Sequence, residues 1–363
     1  MSHFVTFGEI MGRLAPPGML RLQQTLPGSL DMMFAGAEAN VAVSLAILGA
    51  DVSYVTALPI NPLGDACVAS LRALGVGTSR IVRSDQGRLG LFFVETGANQ
   101  RPSRVIYDRS DSTISVTPAE DYDWPSILNG ARGLHVTGIT PAVSRTAAEA
   151  TIQCVQQAKE AGVTVSCDLN FRAKLWRWSE ETDPKTLAGQ VMREVLPSVD
   201  LLIANEEDCG DVLGIHAAHS DVQAGRIEVE AYPDVARQVV EQFPNVRMVA
   251  TTLRESYSAS HNNWGAMLYD AQEDRAYFAP EEDGKYEPYE IRNIVDRVGG
   301  GDSFAAGLLF ALDCDDFAGP GEAVGFAAAA SCLAHSVAGD FNYVSRAEVE
   351  ALMGGSTTGR VVR

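Results

Sequence analysis

Asp296-Arg297-Val298-Gly299-Gly300-Gly301-Asp302-Ser303 is the stretch of this chain best equipped for chemistry. The apolar pattern Phe304, Leu308, Ala311, Leu312 follows at helical spacing, so the glycines stand where a helix begins. Bare backbone N–H groups there, reinforced by the helix dipole, make a cradle for a phosphate or an oxyanion. Asp302, at or beside the N-cap, is kept ionised by the same dipole, and an ionised carboxylate can accept a proton. Capping alone would account for a lone Gly-x-Asp, since Asp is a preferred N-cap. Three successive glycines ask for more, because each costs backbone entropy that a cap does not require. The run is not G-x-G-x-x-G, since Phe304 takes the last glycine's place, and no Gly-Lys-Ser/Thr of a Walker loop occurs in the chain.

A second polar concentration follows the apolar run Val163–Asp168, which reads as a strand: Asp168-Leu169-Asn170-Phe171-Arg172-Ala173-Lys174. In an open parallel sheet, ligands bind beyond the C-terminal strand ends, so polar groups there are candidates. An ion pair between Asp168 and Arg172 is the structural alternative. As a ligand, Arg172 would suit a carboxylate, to which arginine presents a planar fork. The formal net charge of −19 argues against nucleic acid and anionic membrane surfaces as partners. It also opposes ATP and any acidic sugar, so local arginines must overcome it. The six cysteines are scattered without C-x-x-C spacing and read as reduced, mostly buried thiols. With no signal-peptide pattern and no membrane-length apolar run, a soluble, cytoplasmic protein is expected.

These groups need a scaffold, and the chain supplies alternating strand and helix patterns. A first strand over Phe4–Glu9 is followed by a Pro- and Gly-rich excursion, Arg13–Phe34. A helix then opens near Ala35–Asn40 and is stopped by Gly49; strand Val52–Ala57 and helix Leu63–Leu74 come next. Leu89–Thr96 and Arg104–Tyr107 read as a hairpin which, with Arg13–Phe34, forms a flap. From residue 134 the alternation is regular: strand Leu134–Thr137, helix Arg145–Ala161, strand Val163–Asp168, helix Thr182–Leu196, strand Leu201–Ala204, helix Glu206–Leu213. Gly214–Ile227 reads as a loop or insertion. Helix Pro233–Phe243, strand Met248–Thr252 and a hairpin of Trp264–Tyr269 with Ala276–Ala279 precede three helices, Asp302–Leu312, Glu322–His335 and Arg346–Met353. The expectation is one α/β domain over residues 1–353, a β lid inserted from about 13–34 and 89–109, and a mobile tail at 354–363.

Asp296-Arg297-Val298-Gly299-Gly300-Gly301-Asp302-Ser303-Phe304 resembles the C-terminal signature of the ribokinase-like (PfkB) carbohydrate kinases, and the likeness extends over nearly the whole chain. It implies a three-layer α/β/α fold with a mainly parallel sheet and a small inserted lid, and ATP and Mg²⁺ as cosubstrate and cofactor. Independently, the apolar alternation around Leu30–Phe34 and Leu89–Val94 gives the flap two faces and only one domain to cover, so a homodimer through the lid is expected. It implies that Asp302 is the catalytic base and that Gly299, Gly300 and Gly301 form the anion hole. Asp168-Leu169-Asn170-Phe171-Arg172 followed by Trp176, and Tyr107-Asp108-Arg109-Ser110-Asp111-Ser112, are similar to the segments with which the family's 2-keto-3-deoxygluconate kinases hold a sugar acid. Tyr107, Arg109, Asn170 and Arg172 are thereby implied as substrate ligands, with Phe92 standing where that subgroup often has a second Tyr. Gly36 and Asn40 correspond to the family's sugar-hydroxyl region, with Ala35 in place of its first glycine. Asn205 and Asp208 correspond to a motif that positions Mg²⁺ and phosphate through water. Thr251, Thr252 and Arg254 stand beside the nucleotide phosphates, with Arg254 in place of the family's Gly. His335, alone at a helix end, reads as a partner of the C-terminal dipole. The activity implied is phosphorylation of 2-keto-3-deoxygluconate to its 6-phosphate. Its rivals are a neutral-sugar kinase such as a fructokinase, and a non-catalytic sugar-acid sensor.

Overall fold

Leu201–Asn205 shows how the sequence builds the centre of the molecule. Leu202 and Ala204 pack into one hydrophobic core, while Leu201 and Ile203 pack into a second on the other side. A strand apolar on both faces must be covered on both, as parallel strands between helical layers are. The computed structural model describes residues 3–205, 207–217 and 228–355. The expected insertion and tail fall, at residues 218–227 and 356–363, outside the described residues.

The central sheet has nine strands. Asp51–Val55, His3–Phe7, Ala131–Thr137, Thr164–Asp168, Leu201–Asn205 and Met248–Ser258 lie side by side in that order, and all are parallel. His261–Asp270 then pairs antiparallel with Met248–Ser258 and carries both Arg275–Ala279 and Tyr289–Arg292. Helices Arg145–Glu160, Pro184–Val195 and Tyr232–Gln242 bury their apolar sides in one core. Ala37–Leu48, Gly300–Asp313 and Pro320–Ala334 fill the other. This is the expected three-layer α/β/α arrangement. Among the described residues no helix is long and apolar enough to cross a membrane.

The four strands Asp31–Ala35, Met11–Ala15, Gly90–Glu95 and Arg104–Asp108 form a separate sheet, in that order. Cross-strand neighbours share a face. Arg13 lies opposite Met33 and Phe92, and Phe92 opposite Tyr107. On this inner face Met11, Ala35, Phe92 and Val94 make a small core of their own. Leu14, Met32, Phe93 and Ile106 share the outer face, where Met32 is 43% and Ile106 54% exposed.

Several segments differ from the sequence reading. The helix expected over Glu206–Leu213 is a π-helical turn, Cys209–Leu213; Glu206 lies outside the described residues. The strand expected to stop at Thr252 runs on to Ser258, because pairing with His261–Asp270 carries its polar second half along as a hairpin. Thr113–Val116 and Trp124–Leu128, to which no element was assigned, are short helices that close the first core. Trp124 and Tyr122 pack edge-on against Phe7, with ring centroids 5.0 and 5.1 Å away.

Candidate active site

The C-terminal ends of the parallel strands face the inner side of the four-stranded sheet across a cleft of about 460 Å³, the size range of small-molecule sites. Gly36, Asn40, Tyr107, Arg109, Asn170, Arg172, Asn205, Asp208, Thr252, Arg254, Gly299, Gly301 and Asp302 all line it. They come from six separate stretches of chain, which the parallel strand ends and the four-stranded sheet facing them bring to one cleft. Thr251 and Gly300 do not line it. Thr251 neighbours Thr252 on a strand, so its side chain takes the opposite face.

The three glycines of the loop have three different reasons to be glycine. Gly299 has φ of +85° and lies against the carbonyl of Asp340, leaving no room for a Cβ. A Cβ on Gly300 would sit 3.0 Å from the His335 ring, which it would crowd. A Cβ on Gly301 would meet no atom within 4 Å, so the absent side chain leaves open space on the cleft side. Ser303 N–H donates to the Gly299 carbonyl at 2.8 Å, which makes Gly300, Gly301 and Asp302 the first residues of the helix. Their N–H groups have no partner within the helix and are available to an anion.

Asp302 is therefore in the helix's first turn rather than at its cap. Asn40 Nδ2 donates to Asp302 Oδ2 at 2.6 Å, and Asn40 Oδ1 accepts from Gly36 N–H at 3.2 Å, which fixes the amide's orientation. The dipole does not hold Asp302 at the ordinary aspartate value. Burial, with Asp340 nearby, raises it to about 6, although the Asn40 bond and Arg172 favour the ionised form. A carboxylate near 6 is ionised at neutral pH and is a better base than a free aspartate. Glu38, which sequence reasoning passed over, lies behind it. Its Oε1 accepts from Thr137 and Thr140 at 2.8 and 2.9 Å, and burial pushes it up to about 7.

Arg109 is buried on the side of the four-stranded sheet, its guanidinium 5.6 Å from the Tyr107 ring centre, and it forms an ion pair with Glu9. Glu9 was missed, although the rule that flagged Asp168 applies equally to a carboxylate two residues past the first strand. Arg172, on the opposite wall, is exposed and donates to the Phe171 carbonyl at 2.8 Å. Its guanidinium makes that bond in place of the ion pair with Asp168 that was the structural alternative. Burial and the neighbouring Asp208 and Asp302 raise Asp168 well above the usual aspartate range. Lys174 does not line the cleft.

Asp208 accepts backbone N–H bonds from Asn205 at 3.1 Å and Phe171 at 3.2 Å, tying the ends of two adjacent strands together. Among the described residues no group of three or more His, Cys, Asp or Glu side chains could hold a metal ion. An ion held mainly by phosphate oxygens and water, with Asp208 as an outer carboxylate, still fits, as Mg²⁺ is commonly bound. Arg254 and Arg297 both line the cleft beside the glycine loop. Arg297 donates to the Ser258 and Ala259 carbonyls at 3.0 and 2.9 Å, and burial followed by repulsion from Arg254 lowers its affinity for a proton. Arg297 stood inside the glycine motif but was given no role from sequence. His335 is not a charged dipole partner. Its Nδ1 pairs with the Ser331 carbonyl at 2.8 Å, it packs against Trp264 at 4.9 Å, and burial lowers its pKa.

A family model described as pfkB family carbohydrate kinase matches residues 1–241. A 2-dehydro-3-deoxygalactonokinase of Haloferax volcanii is 33% identical over 360 residues, 99% of this chain and 98% of that protein. The crystal structure of a 2-dehydro-3-deoxygluconokinase from Thermotoga maritima superposes with a TM-score of 0.87 at 45% identity, covering 98% of this chain and 100% of that one. A fructokinase with bound ATP from Xylella fastidiosa, 22% identical, shares the fold with a TM-score of 0.73 over 98% and 99% of the two chains.

Proposed function

The chain is a carbohydrate kinase of the pfkB family, close to the 2-dehydro-3-deoxygluconokinases, and from that premise we propose that it transfers the γ-phosphoryl group of ATP to the 6-hydroxyl of 2-keto-3-deoxygluconate. One observation carries the reading: Arg109 and Arg172, from opposite walls, line the same cleft as Asp302 and the glycine loop. Two guanidiniums lining a phosphoryl-transfer cleft give a carboxylate a defined place, whereas a neutral sugar has no charge for them to meet.

In this reading Asp302 takes the proton of the sugar's primary hydroxyl, and Asn40 holds its carboxylate in line. The N–H groups of Gly300, Gly301 and Asp302 stabilise the charge on the transferred phosphoryl group. Arg254 and Arg297, which repel each other beside the loop, receive the phosphate chain, and Thr252 and Asn205 line the nucleotide wall. Asp208 would hold Mg²⁺ from the outer sphere, and the ion would neutralise charge on the phosphates. The four-stranded sheet acts as a lid that excludes water, and its exposed outer face, with Met32 and Ile106, seats a second copy of the chain. The family relationship supports the sugar acid as well, since the Haloferax volcanii and Thermotoga maritima proteins are named for such substrates.

The test is ATP consumption with 2-keto-3-deoxygluconate, its galactonate epimer, fructose and ribose at equal concentrations. Turnover highest on the two sugar acids is the expected result. Higher kcat/KM on fructose would replace the reading with a neutral-sugar kinase, and no turnover on any sugar would replace it with a sugar-acid sensor.

A further inference from the structure

We infer that Arg13 is a positioning residue that makes the geometry of the glycine loop depend on the seating of the four-stranded sheet. Arg13 lies on the inner face of that sheet, buried to 2% exposure. Its Nη2 donates to Asp296 Oδ2 at 2.5 Å, and its Nη1 donates to Asp340 Oδ1. Both carboxylates come from a distant part of the chain, 283 and 327 residues further along.

Each of them shapes the loop. Asp296 Oδ1 accepts the N–H groups of Arg297 at 2.8 Å and Val298 at 3.2 Å, the two residues that lead into Gly299. Asp296 Oδ2 also accepts Gly339 N–H at 3.3 Å. Asp340 places its carbonyl against the α-carbon of Gly299, and its carboxylate acts on Asp302 through space. One guanidinium therefore holds the strand of chain entering the loop and the segment packed beneath it.

Seating the sheet does not by itself call for this. Met11 and Phe92 beside Arg13 already provide apolar contact, and buried ion pairs are commonly no more stabilising than well-packed apolar side chains. What the arginine adds is a connection between the two parts. If the sheet moves away, Asp296 and Asp340 are left as buried like charges that repel, and the loop they brace loses its arrangement. If the sheet is seated, the N–H groups of the loop are aligned. An anion hole built this way is complete only when the cleft is covered.

The inference rests on the kinase reading, so ratios are taken on whichever sugar or sugar acid the wild type phosphorylates fastest; an error in substrate assignment then leaves them unchanged. Arg13→Ala is expected to lower kcat about 10²-fold, the scale of a small misplacement of a catalytic group, with the sugar KM within about threefold of wild type. Added guanidinium, entering by the cleft behind the sheet that Arg13 lines with Asp31 and Asn293, should restore at least about tenfold of that loss without moving the thermal midpoint. Should Arg13→Ala not fold, Arg13→Lys provides the same test, because one ammonium on a single stem cannot hold both carboxylates as a fork does. It should lower kcat at least about tenfold at near-constant KM. A folded Arg13→Ala or Arg13→Lys with kcat within about threefold of wild type would overturn the proposal. So would a loss carried by KM alone, or a kcat loss in Arg13→Ala that guanidinium leaves unchanged.

Discussion

Arg109 meets the cleft with its guanidinium already on the carboxylate of Glu9, and both side chains are buried. The two charges offset each other, so an incoming carboxylate on Arg109 has to share it. Truncating Arg109 then does two things: it removes a ligand, and it strands a buried carboxylate facing an anionic substrate. Arg109→Ala should consequently cost more than the lost contact. Adding Glu9→Gln to that variant should recover about 1–3 kcal/mol of kcat/KM for the acid, the cost of an unpaired buried charge or polar group. Steady-state kinetics of the four corners of this cycle give the coupling directly, and simple additivity would show that Glu9 plays no part.

Asp302 sits near 6, held by Asn40. Asp302→Asn keeps the shape and removes the base, so kcat should fall about 10²–10⁴-fold while sugar affinity hardly changes. The sign of the pH dependence follows from the same group. The base must be ionised, so kcat/KM in the wild type should rise with pH through about 6 and level off above it. Asn40→Ala, which removes a bond that favours the ionised form, should move that limb to higher pH. A variant at Asp302 retaining a tenth of the activity, or a limb unmoved by Asn40→Ala, would refute the assignment.

Glu38 gives a stability prediction with an unusual sign. Its folded value, about 7, lies above the ordinary 4.5, so between these values the native state binds more protons than the unfolded one. The group's contribution is full at low pH and is lost as pH rises through 7. A glutamine in its place carries no titrating proton. Glu38→Gln should therefore gain stability relative to wild type as pH goes from about 5 to about 8, by on the order of 1–3 kcal/mol. Urea unfolding at the two pH values measures it, and a difference that does not grow with pH would contradict the burial of an ionised Glu38.

The outer face of the four-stranded sheet, with Met32 and Ile106 exposed, is the expected dimer surface. Ile106→Glu places a charge on this face and should convert a micromolar dimer to monomer in sedimentation velocity, with the thermal midpoint of the monomer little changed. A wild type that is monomeric at that concentration would remove the proposal.

The parts of this site that the sequence made legible are those written locally. The glycine loop, the polar cluster after Asp168 and the Gly49 stop, at φ +101°, are each contained in a few consecutive residues. The hairpin strands Gly90–Glu95 and Arg104–Asp108 were legible for the same reason, whereas Met11–Ala15 and Asp31–Ala35 were read only as part of a Pro- and Gly-rich excursion. What stayed hidden are partnerships across the chain. Nothing near Arg13 points to Asp296 or Asp340, and Arg109 could be seen as a ligand while Glu9, 100 residues away, could not be seen as its partner. The polar strand end beyond Thr252 was illegible on other grounds: its conformation is imposed by His261–Asp270 against its own composition. Burial, which turns Asp302 and Glu38 into weaker acids, exists only in the folded molecule.

The central claim is that the substrate is anionic, held by Arg109 and Arg172 in the cleft they share with the glycine loop. It is tested most directly by kcat/KM for 2-keto-3-deoxygluconate and for fructose in the wild type, Arg109→Ala and Arg172→Ala. The account predicts a wild type that prefers the acid, a loss of about 2–5 kcal/mol for the acid in either variant, and little change in any residual turnover of fructose. A wild type that prefers fructose, or variants that lose both substrates equally, would contradict it.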